Sequence, residues 1–292
     1  MSEPLPGKLR AKWDSLIATE GKRLGLTDCR PFLENKMVND IFYEGRFNGR
    51  PCIVKCSSKA PDSIVNEYSL ARRIFDRAPA TTPEPLAYWI SEDGGMAFIA
   101  TARIDGRSLT EHLAQGISAR EAQTFAGDIL ALVDALRNAN TVHRDLFADN
   151  LLLDTDGHLK AIDFQFAIDR FDYRECDWMR KNWKYRYVIF GVNHDLGLGV
   201  WNDMAALVRV LSAFPQTDSV ISAIATLKSR EVESSFTSIP SLCMRIKLRL
   251  YGLSLFVQML LHSGKPAKVA RLRLRLHRIC GRTTGINGSD NK

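Results

Sequence analysis

A handful of residues stand out by type and spacing. His143-Arg144-Asp145 is followed, after four residues, by Asn150, and thirteen residues beyond Asn150 comes Asp163-Phe164. Between them lie two apolar β-like runs, Leu151-Leu152-Leu153 and Leu159-Lys160-Ala161-Ile162, separated by a turn at Asp156-Gly157. That length suits a hairpin delivering both polar loops to one place. Upstream, Lys55 ends the run Cys52-Ile53-Val54, and Glu67 is the only glutamate between Lys55 and Pro83. Carboxylate and amide oxygens are hard ligands of the kind magnesium takes. A carboxylate within reach of a hydroxyl orients or accepts its proton. Phosphoryl transfer asks for these parts and for little covalent chemistry from the protein.

The ungapped H-R-D-x-x-x-x-N, the D-F beyond it, a strand lysine and a helix glutamate occur here in an order that resembles the protein-kinase-like superfamily, over roughly residues 35–215. The resemblance implies an α+β, two-lobed fold: a small mixed N-terminal lobe with a sheet and one helix, then a mainly helical C-terminal lobe. It implies Asp145 as catalytic base and Lys55 on the α/β-phosphates of ATP, with Glu67 paired to Lys55. It implies Asn150 and Asp163 as ligands of Mg2+. Catalysis would then fall to Asp145, Lys55 and Asn150, and nucleotide binding to Lys55, Glu67 and Asp163. Asp203, in a helix-like stretch, matches the buried aspartate that braces the catalytic loop in that superfamily, with Asp195 as a competitor. His143 reads as a structural hydrogen-bonding residue rather than a base.

The sequence also departs from that pattern. Glu34-Asn35-Lys36-Met37-Val38-Asn39-Asp40 stands where a glycine-rich loop belongs and contains no glycine. Gln165 replaces the glycine of D-F-G, Ile53 a small residue of the adenine slot, and Phe147 a lysine near the γ-phosphate. No A-P-E follows. Trp178, Trp183, Tyr185 and Tyr187, interleaved with basic residues, suit either a sugar or anionic group or the packing of a short segment. These features are similar to atypical bacterial branches of the superfamily, among them the lipopolysaccharide-core sugar (Kdo/heptose) kinases. The expectation is an ATP- and magnesium-dependent phosphotransferase acting on a hydroxyl, preferably of a sugar or lipopolysaccharide-core sugar at a membrane surface. An atypical Ser/Thr protein kinase and a non-catalytic kinase-like binding module are the alternatives.

The elements that must position these residues can be read in outline. Leu9, Trp13, Leu16 and Ile17 share one face of a helix over 8–20. Asn48-Gly49 joins two β-rich runs between Ile41 and Cys56, the strongest short hairpin signal. Residues 62–77 return to helical spacing with Ile64, Tyr68, Ala71 and Phe75 as the stripe, and a second hairpin turns around Asp93-Gly94-Gly95. After a connector at 103–106, Ser118 and Glu121 form a capping box for a long helix with Ala122, Phe125, Ile129, Val133 and Leu136 inward. Further helices are expected at 201–214 and 217–228. The organisation that follows is an N-terminal lobe over 1–101, a catalytic lobe over 102–240 and a basic extension over 241–292.

Of 292 residues, 45% are hydrophobic and 25% charged, a folded rather than a disordered composition. The six cysteines are scattered without zinc-finger spacing, which fits free thiols in a reducing compartment. The polar N-terminus lacks the apolar core of a secretory signal. A cytoplasmic location is expected, with peripheral attachment to the inner face of the cytoplasmic membrane. Residues 241–282 hold ten Lys or Arg and no acid, so the net charge of +7 belongs to that end. An apolar run over 250–261 is too short to span a bilayer, which takes about 20 residues. The Arg-Leu alternation at 271–276 fits a basic amphipathic helix or a strand. An anionic membrane surface is the partner that charge suits. Nucleic acid is the weaker choice, because no recognised nucleic-acid module accompanies the segment.

Overall fold

The computed structural model describes residues 7–35, 40–58, 60–169 and 203–234, with short paired strands at 194–195 and 200–201 and the single positions 253, 257, 258 and 261. The interleaved aromatic and basic residues at 178–187, the glycine-free stretch at 36–39 and most of the basic extension lie outside the described residues.

The small lobe is a five-stranded antiparallel sheet in the order β1-β2-β3-β5-β4. Its strands are β1 (Leu26–Asn35), β2 (Asp40–Phe47), β3 (Arg50–Ser57), β4 (Pro85–Ile90) and β5 (Ala97–Ala102). Asn48 and Gly49 both take positive φ, 48° and 83°, the twist a two-residue hairpin requires. Alternation along β3 decides which side chains reach the site. Cys52, Val54 and Cys56 are fully buried on the back of the sheet, which leaves Ile53 and Lys55 for the front. Helix α1 (Gly7–Leu16), continued by a π-helical turn at Ile17–Gly21, covers the back with Trp13 and Ile17. The expected cysteine thiols are there, Cys52 and Cys56 as packing residues.

Strand β1 is an element the sequence reading did not assign. Asp28 and Pro31 interrupt its apolar pattern, and the pairing with β2 slips between Thr27 and Arg30 and again between Pro31 and Leu33. The strand survives because it is an edge, where a proline without an N–H leaves no neighbour unpaired.

Helix α2 (Pro61–Phe75) lies between the lobes. Ile64 packs on Ala97 and Ile99 of the sheet, while Leu70, Ala71 and Ile74 enter the core of the large lobe. The buried face is therefore wider than the expected stripe: Phe75 is only partly covered, and Leu70 and Ile74 are buried instead.

The large lobe follows the loop at 103–106. It contains β6 (Arg107–Ser108), α3 (Leu109–Gln115), α4 (Ala119–Asn138), β7 (Thr141–Val142), β8 (Leu151–Leu153), β9 (Leu159–Ala161), β10 (Ile168–Asp169), α5 (Asp203–Leu211) and α6 (Asp218–Ser234). The short strands β11 (His194–Asp195) and β12 (Val200–Trp201) pair with each other. Ser108/Glu111 and Ser118/Glu121 both form reciprocal capping boxes. All five residues of the expected α4 stripe are buried, in one core with Leu207, Leu211 and Leu227 of the last two helices and Phe214 of the loop between them. The expected α+β, two-lobed arrangement is what the chain adopts. Gly106 sits where the connector crosses β8: a Cβ there would stand 1.8 Å from the Leu153 carbonyl oxygen.

Candidate active site

The loop between β7 and β8 carries Asp145 and Asn150, and the turn after β9 carries Asp163. Two ladders fix their relation. β8 pairs with β9 through Leu151–Ala161, and the Ile162 N–H donates to the Asn150 carbonyl at 3.0 Å. β7 pairs with β10 through Val142–Ile168. The segment between α2 and β4 pins β9 from the other side, with Thr82 Oγ1 donating to the Ala161 carbonyl at 3.0 Å.

The catalytic-type loop is held from beneath by one carboxylate. Asp203 accepts the backbone N–H of His143 at 2.7 Å and that of Arg144 at 2.8 Å. Asp203 is therefore the bracing aspartate and Asp195 is not needed for that role. Arg144 sits at φ 73°, in the left-handed region that non-glycine residues rarely occupy, so the two bonds hold a strained turn in place. The His143 ring is locked as well. Nε2 lies 3.0 Å from the Ile162 carbonyl, and Nδ1 accepts the Asp145 N–H at 3.3 Å. One nitrogen donates and the other accepts, which is the neutral imidazole. Burial also pushes its pKa down, against the pull of Asp203. His143 is a strut, as the sequence suggested.

Asn150 Nδ2 donates to both the Asp145 carbonyl, at 2.9 Å, and Asp145 Oδ2, at 3.0 Å. The amide thus aims the carboxylate and keeps its own Oδ1 for another partner. Burial pushes the Asp145 carboxyl up to about 8, Asp163 adds to this, and the Asn150 bond opposes it.

Across the cleft, Lys55 Nζ bonds Glu67 Oε2 at 3.0 Å and Asp163 Oδ1 at 2.6 Å. Burial pulls the ammonium pKa down, but Asp163, Glu67 and Asp40 outweigh it and leave Lys55 firmly charged. Burial pushes Glu67 up while Lys55 pulls it back. Asp163 itself takes φ 64°. The left-handed residue of this turn is therefore Asp163, and Gln165, in the place of the D-F-G glycine, needs no glycine conformation. Phe164 is buried in the large-lobe core beside the His143 ring, 4.5 Å between centroids.

Between the lobes opens a cleft of about 720 Å³. Phe42, Ile53 and Ile99 line its small-lobe side, and Leu152, Ile162 and Asn150 its large-lobe side, with Lys55 and Asp163 at its depth. The bulk of Ile53 narrows this space without closing it. An apolar slot ending in a lysine, a carboxylate and an amide fits a nucleotide: base in the slot, phosphates at the lysine. Magnesium fits the donor set too, since Asn150 Oδ1 and the Asp163 carboxylate are hard oxygens. Among the described residues no group of three or more His, Cys, Asp or Glu could hold a metal alone. Phosphate oxygens and water would have to complete the shell.

Of the five sequence-singled residues, Lys55, Glu67, Asn150 and Asp163 line one cleft, and Asp145 joins them through its hydrogen bond from Asn150. The reading did not single out Phe42, Thr82, Asn66 or Arg73. Thr82 and Asn66 act through backbone carbonyls, a type of contact that leaves little trace in residue type.

The two-lobed fold and its cleft are arranged as in protein kinases, and part of the chain is similar in sequence to them. A protein kinase domain family matches residues 85–177, the stretch that holds Asp145, Asn150 and Asp163. The lysine and glutamate lie outside that match, so their pairing rests on the geometry above. Among curated relatives, the chain is 28% identical over 180 residues to a probable serine/threonine-protein kinase kinX of Dictyostelium discoideum, covering 58% of this chain and 16% of that one. It is 25% identical over 130 residues to the human cAMP-dependent protein kinase catalytic subunit PRKX, covering 44% and 36%. It is 38% identical over 72 residues to a protein kinase C-like 1 of Caenorhabditis elegans, covering 24% and 10%. The chain therefore spans well under two thirds of the length of each of these relatives.

Proposed function

We propose that the protein is a kinase, moving the terminal phosphoryl group of ATP to a hydroxyl. The carrying observation is the joint geometry of Lys55, Glu67, Asp163 and Asn150 in one cleft, with Asp145 held beside Asn150. Lys55 offsets phosphate charge and is oriented by Glu67. Asn150 Oδ1 and Asp163 would hold magnesium, which when bound would offset phosphate charge. Asp145, aimed by Asn150, orients the acceptor hydroxyl and, in its ionised form, takes its proton. His143 and Asp203 keep the loop from relaxing.

For the acceptor, a Ser or Thr hydroxyl of a protein is the better supported reading, because matched relatives bear the name serine/threonine-protein kinase. The sugar or lipopolysaccharide-core acceptor, expected from the departures at the glycine-rich loop and Phe147, gains no support from those relatives. Association with an anionic membrane is a separate part of the reading. Leu253, Val257 and Leu261 are helical positions on one face, 60%, 45% and 75% exposed, next to the run of Lys and Arg without acids. Apolar side chains beside basic ones match the chemistry of a headgroup layer.

One experiment tests these choices together: labelled phosphate transfer from ATP to protein, sugar and lipid-linked sugar acceptors, each with and without anionic vesicles, for wild type and Asp145→Asn. Transfer to protein that the variant loses, by about a hundredfold or more, is expected. Transfer to sugars alone overturns the protein acceptor. Equal rates for the variant overturn the role of Asp145.

A further inference from the structure

Helix α2 carries Glu67, which bonds Lys55 Nζ at 3.0 Å, and the same Nζ bonds Asp163 of the large lobe at 2.6 Å. Other side chains of α2 reach across to the large lobe directly. Asn66, the neighbour of Glu67, donates from Nδ2 to the Ala167 carbonyl at 2.7 Å. Nearly two turns further on, Arg73 pairs through Nη1 with the Asp169 carboxylate, and the same nitrogen reaches the Ala139 carbonyl at 3.3 Å.

The three receiving groups belong to one small unit. Ala167 and Asp169 flank and end β10, four and six residues after Asp163. β10 pairs with β7, Asp169 opposite Thr141 and Ile168 opposite Val142, and β7 runs directly into His143-Arg144-Asp145. Ala139 caps the end of α4 just before β7. The strand that α2 grips therefore leads back to Asp163 along the chain and across to Asp145 through its ladder. For α2 to move outward and withdraw Glu67, the bonds of Asn66 and Arg73 must break as well as the Lys55 pair.

We propose that Asn66 and Arg73 are positioning residues for phosphoryl transfer. They fasten α2 to β10 and thereby hold the Lys55–Glu67 pair in register with Asp163 and Asp145. This rests on the kinase reading for its effect on rate, but the fastening itself does not. The two residues act through Glu67 and touch neither nucleotide nor acceptor.

A mutant cycle tests the proposal, because two residues acting through one link are not additive. Asn66→Ala and Arg73→Ala should each lower kcat on the order of tenfold or more, as a small misplacement of reacting groups does. In a Glu67→Ala background the same changes should lower it no further. A merely structural role would give additive losses in both backgrounds, and that result overturns the proposal. Exchanging the charges, Arg73→Asp with Asp169→Arg, should recover part of the rate lost by Arg73→Ala. Hydrogen exchange over residues 61–75 reads the fastening without any turnover. Faster exchange in both single variants is expected, and unchanged exchange overturns the fastening. A wild type that transfers no phosphate, with exchange still faster in the variants, would remove the kinase reading and leave the fastening standing.

Discussion

In the nucleotide-free cleft burial pushes the Asp145 carboxyl up to about 8, and the neighbouring Asp163 adds to this. The consequence for stability has a definite sign. Below the ordinary carboxyl value of 3.8 the group is protonated in both folded and unfolded chains and makes no difference. From there to about 8 the unfolded chain releases the proton while the native cleft keeps it, so native stability falls as pH rises, and levels off above. Asp145→Asn retains the shape and an oxygen for the Asn150 amide but has no proton to lose. The nucleotide-free variant should melt above wild type at pH 8.5, by a few degrees for every 1–2 kcal/mol or so recovered, and this advantage should shrink toward pH 4.5. Calorimetry at the two pH values checks it; an advantage that does not grow with pH would contradict the desolvated carboxyl. The polar residues of the catalytic set were legible in the sequence because chemistry restricts their type. Asn66 and Arg73 were not, because an asparagine or arginine on a helix surface looks the same whether it meets water or a carbonyl on the opposite lobe.

At the scale of elements, legibility followed how strongly local chemistry dictates shape. The Asn48-Gly49 turn and the Ser118/Glu121 capping box were readable because each satisfies its own backbone within a few residues. β1 was not, since its pairing comes from β2 and its pattern is broken by Asp28 and Pro31. The inward face of α2 was misjudged at Phe75 because the helix is packed from two sides and a single stripe describes only one. The connector shows the same dependence on a distant partner. Asp105-Gly106 is a turn-type dipeptide, but nothing in it foretells that the Leu153 carbonyl leaves no space for a side chain. Backbone cannot step aside as the end of a flexible side chain does, so Gly106→Ala should push β6 off β8. The expected loss is about 1–3 kcal/mol, read as a lower denaturation midpoint with an unchanged slope. Stability equal to wild type would mean the crossing is looser than described.

The molecule as a whole is two cores with a ligand-shaped gap between them. The sheet buries its back against α1, the large lobe buries α4 against α5 and α6, and α2 joins the large-lobe core while its Ile64 packs separately on Ala97 and Ile99 of the sheet. Charged contacts bridge the gap at its depth, Lys55 from the sheet to Asp163 from the large lobe. A nucleotide with magnesium would add ties of the same kind from both sides, so it should stabilise the assembled pair of lobes more than either partner alone. Binding only to the native state raises stability by about 2.7 kcal/mol at a hundredfold excess over Kd. Thermal shift should therefore rise with ATP and magnesium together and far less with either one singly. Asp163→Ala removes the carboxylate that would share the metal and also frees Lys55 from its tie across the cleft. The variant should retain a small response to ATP and lose the added response to magnesium. An undiminished magnesium increment in Asp163→Ala would place the metal elsewhere, and a wild type that responds to none of these ligands would leave the cleft a shape without its nucleotide.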